Sequence, residues 1–166
     1  MSMPVRAYVT DRTSDAFARA HILAERLGHQ DVTPVHVTLG IIDEGRNVGA
    51  ILLLYSCRVH RDSVVRDLES QLPAPASPLT GQRLAWSFGD EQMLLLAAAE
   101  ARELGHVHLG CEHLLLAFLR DPSTGPGAVL AQHGVEFGRV REDLASILDG
   151  TMIWHVDESD TGGPAA

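Results

Sequence analysis

Residues 105–119 read GHVHLGCEHLLLAFL, and residues 28–42 read GHQDVTPVHVTLGII. At an offset of 77 residues, Gly28 falls on Gly105, His29 on His106, Val32 on Leu109 and His36 on His113. Leu27, Val37 and Leu39 fall on Leu104, Leu114 and Leu116 in the same register. Further on, LLLYSCRVHRDSVVRDLESQL answers AVLAQHGVEFGRVREDLASIL at an offset of 76, where Leu54 meets Leu130, Val59 meets Val135 and Leu68 meets Leu144. Self-similarity at a fixed period marks one supersecondary unit used twice.

Helical periodicity fills each copy. Phe17, Ala20, Ala24 and Leu27 form an apolar stripe that stops at Gly28; Leu94, Ala97, Ala98, Ala101 and Leu104 form its counterpart, stopping at Gly105. Such stripes are buried helix faces, and glycine closes a helix because it adopts the left-handed conformation freely. A short loop and an apolar helix follow each, over roughly 34–44 and 111–120. The expected fold is therefore all-α: two pseudo-symmetric four-helix repeats, about eight helices in all, within one domain over residues 1–150. Repeat one covers about 8–72 and repeat two about 90–150. Between them, residues 73–89 begin PAPASPLTGQ and suit an extended connector. Residues 151–166 are polar and rich in Gly and Pro, as in a flexible tail.

Composition narrows the chemistry. The formal net charge is −9, and all 13 basic residues are arginine. A negative field repels phosphate backbones and favours a cationic or arginine-bearing partner, so nucleic acid is not expected. Without lysine, neither a Walker phosphate loop nor a Schiff base can be built. No apolar run reaches the ~20 residues of a membrane span. With no signal-like start and only Cys57 and Cys111 as thiols, a reducing cytoplasm is the expected location.

The doubled unit resembles the Clp amino-terminal (Clp R) repeat domain that precedes Clp/Hsp100 AAA+ unfoldases, over roughly residues 8–150. Gly105, His106, Gly110, Glu112, His113 and Leu114–Leu116 fall on that family's Gly-His…Gly-Thr-Glu-His-Leu-Leu-Leu run. No ATPase module accompanies them here, so a free-standing recruitment domain is expected. The resemblance implies a non-catalytic binding module without cofactor. Its partners would be a Clp/Hsp100 ATPase, adaptors or substrate peptides, including arginine-phosphorylated ones, or a small-molecule ligand. It would deliver its cargo to an unfoldase or withhold it as a decoy.

The cluster in 106–113 admits two readings. As a docking site, Glu112, Cys111, Gly110 and His113 are the ligand-binding candidates. The first turn of a helix offers unpaired N–H groups to an anion, and a carboxylate can take a guanidinium in two parallel hydrogen bonds. The resemblance assigns the guanidinium contact to Glu112; Cys111 stands where the family has Thr, losing a hydroxyl, while Pro34 and Val35 leave repeat one without the matching groups. His29, His36 and His106 are expected to be structural, tying loops to backbone carbonyls. The alternative is a small metal-dependent helical enzyme using His106, His108, Cys111 and His113. Against it, ligands two residues apart on a helix diverge by about 200°, and zinc sites usually pair two short couples across a longer spacer. No metal and no catalytic residue are expected.

Overall fold

The computed structural model of the protein describes residues 9–79, 81, 84–86, 90–123 and 125–148. Residues 151–166, expected to form the tail, lie outside the described residues. Repeat one comprises α1 (Asp11–Arg26), the short strand β1 (Asp31–Val32), α2 (Pro34–Glu44), α3 (Val48–Ile51) running into a π-helical segment (Leu52–Ser56), and α4 (Arg61–Glu69). Repeat two comprises β2 (Ala85–Trp86), α5 (Asp90–Glu103), α6 (Cys111–Leu119), α7 (Gly125–Gln132) and α8 (Phe137–Leu148). The fold is all-α, as expected, apart from these minimal strands.

Local sequence sets the helix boundaries. Thr10, Thr33 and Asn47 each accept a backbone N–H through the side chain at the start of α1, α2 and α3. Such caps satisfy donors that the helix itself cannot. Gly45, at φ 72°, closes α2. Along α1, Ala16, Ala20 and Ala24 are fully buried and leave room for α2, whose Gly40 backbone sits against the Ala16 carbonyl.

The two core clusters each draw on both repeats. Leu52, Leu53 and Leu68 pack with Leu115, Leu116, Leu130 and Leu144. Ala16, Ala20 and Ile41 pack with Ala97 and Leu114. Polar ties follow the same pattern. The Ser56 hydroxyl donates to Asp143, and His133 Nε2 lies 2.8 Å from Asp67 Oδ2.

The strands cross between repeats. β1 pairs in parallel with β2, Val32 opposite Trp86. Val9 forms a parallel bridge with Leu109. At the 77-residue offset, Val9 maps onto Trp86 and Val32 onto Leu109, so each pairing is the image of the other. The connector is correspondingly pinned rather than loose. Ala76 N–H donates to the Leu27 carbonyl (2.8 Å) and Leu79 N–H to that of Glu25 (3.1 Å). Gly28, at φ 70°, lies so close that a Cβ there would meet the Ser77 carbonyl oxygen at 2.4 Å.

The change of offset from 77 to 76 has a structural location. α3 and α7 still begin 77 residues apart, whereas α4 and α8 begin 76 apart. The surplus residue of repeat one is absorbed by the π-helical segment, in which Cys57 N–H reaches back to the Leu52 carbonyl. A π-turn takes one residue more than an α-turn over the same arc. Two residues beyond it stands Arg58, at φ 53°, where repeat two has Gly134 at φ 77°. A side chain in this region costs about 1–2 kcal/mol, partly offset by the entropy that a glycine loses on folding. Arg58→Gly should therefore stabilise the protein by roughly 0.5–1 kcal/mol, read as a higher urea midpoint.

Candidate functional site

Two histidine pairs organise the loops that precede α2 and α6. At the first, Thr33 N–H donates to His36 Nδ1 at 2.9 Å, which places the His36 proton on Nε2. That nitrogen is 2.9 Å from His29 Nδ1, and His29 Nε2 is 3.1 Å from the Pro73 carbonyl. Donation therefore runs in one direction, from Thr33 through both imidazoles to Pro73. At the second, Gly110 N–H donates to His113 Nδ1 at 2.8 Å, and His113 Nε2 lies 2.6 Å from His106 Nδ1. His36 and His113 have no exposed surface. Burial, with the neighbouring His29 or His106 adding to it, lowers each of their pKa values to about 4.

The partners of these rings differ from those expected. The sequence suggests imidazoles tied to carbonyls; among the described residues only His29 reaches one, and the main partner of each ring is another ring. His113, expected among the ligand-binding residues, is the buried counterpart of His36. The signal was available in its strict repetition.

The metal alternative fits the same atoms poorly. His106, Glu112 and His113 each bring one ligand atom within 4.8 Å of the others. Yet His113 has no lone pair to give, since Nδ1 accepts the Gly110 N–H and Nε2 carries the proton shared with His106. His108 is exposed, and the Cys111 thiol is buried 3.6 Å from the Thr13 hydroxyl. Burial pushes Cys111 up to about 12, far from a nucleophile or a ready thiolate ligand.

Glu112 behaves differently. Its carboxylate folds back over the start of α6, where a Cβ on Gly110 would lie 2.3 Å from either carboxylate oxygen. A glycine cap is thus the partner of a first-turn glutamate. In repeat one Val35 replaces the glutamate, and Thr33 takes the cap position with a side chain. Burial raises the Glu112 pKa; its own backbone N–H acts in the opposite sense.

Glu112 and Cys111 wall a cleft of about 560 Å³ together with Asp11, Arg12, Asp15 and Asn47. Gly110 and His113 are buried and do not line it. The α1 residues carry no signal in the sequence, because the Val9–Leu109 bridge, which brings the start of α1 to α6, has no periodic signature. Arg12 is turned across the cleft to Glu44, with Nη1 2.7 Å from Oε1. Burial would raise the Glu44 pKa, but hydrogen bonds from Asn47, Arg12 and the Arg46 N–H prevail and lower it. The cleft thus offers three carboxylates, Asp11, Asp15 and Glu112, with its one lining arginine already paired.

A sequence model of the Clp repeat (R) N-terminal domain matches residues 8–133 and, in a second register, 91–157. The negative regulator of genetic competence ClpC/MecB of Bacillus subtilis is 27% identical over 139 residues, covering 84% of this chain and 17% of its own length. A ClpA homologue, the ATP-binding subunit of an ATP-dependent Clp protease in Guillardia theta, is 29% identical over 160 residues, covering 93% of this chain and 19% of its own length. The chain thus spans under a fifth of each. Among solved structures, the N-domain of ClpV from Vibrio cholerae superposes with a TM-score of 0.74 at 18% identity, covering 90% of this chain and 92% of that one.

Proposed function

The chain belongs to the Clp repeat (R) N-terminal domain family, and on that premise we propose that it is a non-catalytic docking module that captures arginine-bearing segments of substrates or adaptors in the Glu112 cleft. The observation that carries this reading is the set of carboxylates around that cleft. The Glu112 carboxylate lies over the start of α6 in space that the missing side chain of Gly110 leaves open, and Asp11 and Asp15 face the same cleft. A guanidinium presents its fork of donors to a carboxylate bidentately, and further negative charge nearby strengthens the hold. Support for a non-catalytic role comes from the internally bonded histidine pairs, with His36 and His113 buried and their pKa values lowered, and from the buried, high-pKa Cys111 thiol. The cleft chemistry favours an unmodified arginine over a phosphorylated one. A phosphoryl group would face Asp11 and Asp15, and Cys111 offers no hydroxyl. Cargo held this way in the cytoplasm would be delivered to, or kept from, a Clp/Hsp100 ATPase.

Isothermal calorimetry with an arginine-rich peptide, its phosphoarginine form and its lysine analogue tests the reading. The arginine peptide should bind most tightly, and Glu112→Ala should weaken it about 10-fold or more, as expected for loss of a charge-assisted pair. Equal binding to wild type and Glu112→Ala would remove the cleft from the mechanism. Tighter binding of the phosphorylated peptide would reverse the preference.

A further inference from the structure

Beyond the Glu112 cleft, the repeat itself exposes an asymmetry. In repeat two, the trough between α5, α6 and α8 is filled by the protein's own side chains. Arg120 lies 4.5 Å over the Phe137 ring. Its Nε sits 2.5 Å from Glu100 and its Nη2 3.8 Å from Glu103, which also takes Arg141 at 3.2 Å. Repeat one has the same trough between α1, α2 and α4, but every plugging residue is replaced. Asp43 stands for Arg120, Leu23 for Glu100, Arg26 for Glu103, and Arg61 for Phe137.

The consequence is an open groove of about 300 Å³ with an apolar interior that includes Leu23, Leu39, Ile42 and Val65. Ile22 stands at its lip, 60% exposed. Three arginines rim it. Arg19 and Arg61 share Asp43, at 2.6 and 4.0 Å, and Arg26 makes no ion pair among the described residues. Glu69 is the other carboxylate of the lining. The rim is net positive on a chain of net charge −9. An interior of aliphatic side chains beneath a rim one charge positive, with Arg26 as the arginine that Asp43 does not engage, matches an amphipathic helix whose apolar anchors recur at i, i+3 and i+4 and whose flanks are acidic.

The geometry points to this groove as a second docking surface, with an acidic amphipathic helix of a partner protein as its occupant. Its charge preference is opposite to that of the Glu112 cleft, so one module can hold two different partners at once. Repeat two cannot bind such a helix, because Arg120 and Phe137 occupy the place of the anchors.

The test uses a synthetic Ala-based helical peptide with Leu anchors at i, i+3 and i+4 flanked by Glu, and a twin with Lys in place of Glu. Binding to the full chain is read by fluorescence anisotropy, and its position by amide chemical shifts. The acidic peptide should bind with shifts in α1, α2 and α4 and none in α5 or α8, and the Lys twin should bind at least about fivefold more weakly. Arg26→Glu and Arg61→Glu, both at exposed positions, should reverse the preference without altering the fold. Glu112→Ala should leave this binding unchanged, which separates it from the arginine-segment reading. Equal binding of the two peptides, or shifts confined to the α6 cleft, would overturn the proposal. So would self-association in sedimentation that Arg26→Glu abolishes, since the groove would then serve a second copy of the chain.

Discussion

Acidified from about pH 7 to pH 4.5, the protein should lose much of its stability, on the order of 5 kcal/mol. His36 and His113 titrate near pH 4 in the folded chain and at 6.5 when free, so between these values the unfolded chain binds the extra protons. Stability is therefore complete above about pH 6.5 and falls as the pH drops toward 4, by about 3 kcal/mol for each histidine at the lower limit. The chemistry behind the shift is specific. A proton added to His36 Nδ1 would point at the Thr33 N–H, and one added to His113 Nδ1 at the Gly110 N–H. Glu44, whose pKa is lowered, adds to the loss at the acid end, while Glu112, whose pKa is raised, offsets part of it. A total near 5 kcal/mol rivals the whole stability of an ordinary domain. Urea titrations at several pH values check this; identical midpoints at pH 7 and 4.5 would refute it. In the double variant His36→Asn/His113→Asn, the slope with pH should flatten even though the protein starts less stable.

Gly40→Ala, a single methyl added to α2, should be strongly destabilising. The new Cβ would lie 2.3 Å from the Ala16 carbonyl oxygen and 3.1 Å from the Ala20 amide nitrogen. Both are backbone atoms in the middle of α1, so no rotamer change can relieve the clash and the two helices must separate. The expected cost is about 3 kcal/mol, in the upper range of overpacking. Gly138→Ala, in α8, meets nothing within 4 Å and should be neutral or slightly stabilising, because alanine favours helix. Thermal melts of the two variants give the comparison; similar melting temperatures would mean that α1 and α2 do not pack as described.

Much of the architecture could be read from residue spacing, because a duplicated helical unit writes itself twice. The recurrence of Gly-His and of the second histidine seven residues later located α2 and α6 to within a residue. Other features carry no such trace. A two-residue strand has too few positions to alternate, so neither the β1–β2 pairing nor the Val9–Leu109 bridge could be anticipated. The one-residue change of offset is visible in the sequence, but only the backbone hydrogen bonds assign it to Leu52–Ser56. For the site, the sequence singles out Glu112 and Cys111 but not the α1 residues that face them. Asp11 and Asp15 lie about a hundred positions away and reach it through a pairing that periodicity does not register. Imidazoles, likewise, can be identified by type, but the sequence does not say that each will take another imidazole as its partner.

The exchanged pairings also bear on ancestry. If a lone ancestral half-length chain folded in this manner, its Val9-like end would have had no edge to join within its own body, and its Val32-like segment no guest. Both needs are met at once by a twin, each lending its leading segment to the other about a two-fold axis. Duplication and fusion would then have turned a reciprocal embrace between two molecules into one polypeptide. Cutting the present chain within residues 73–79 should accordingly yield fragments that are incomplete apart and recover the native fold when mixed.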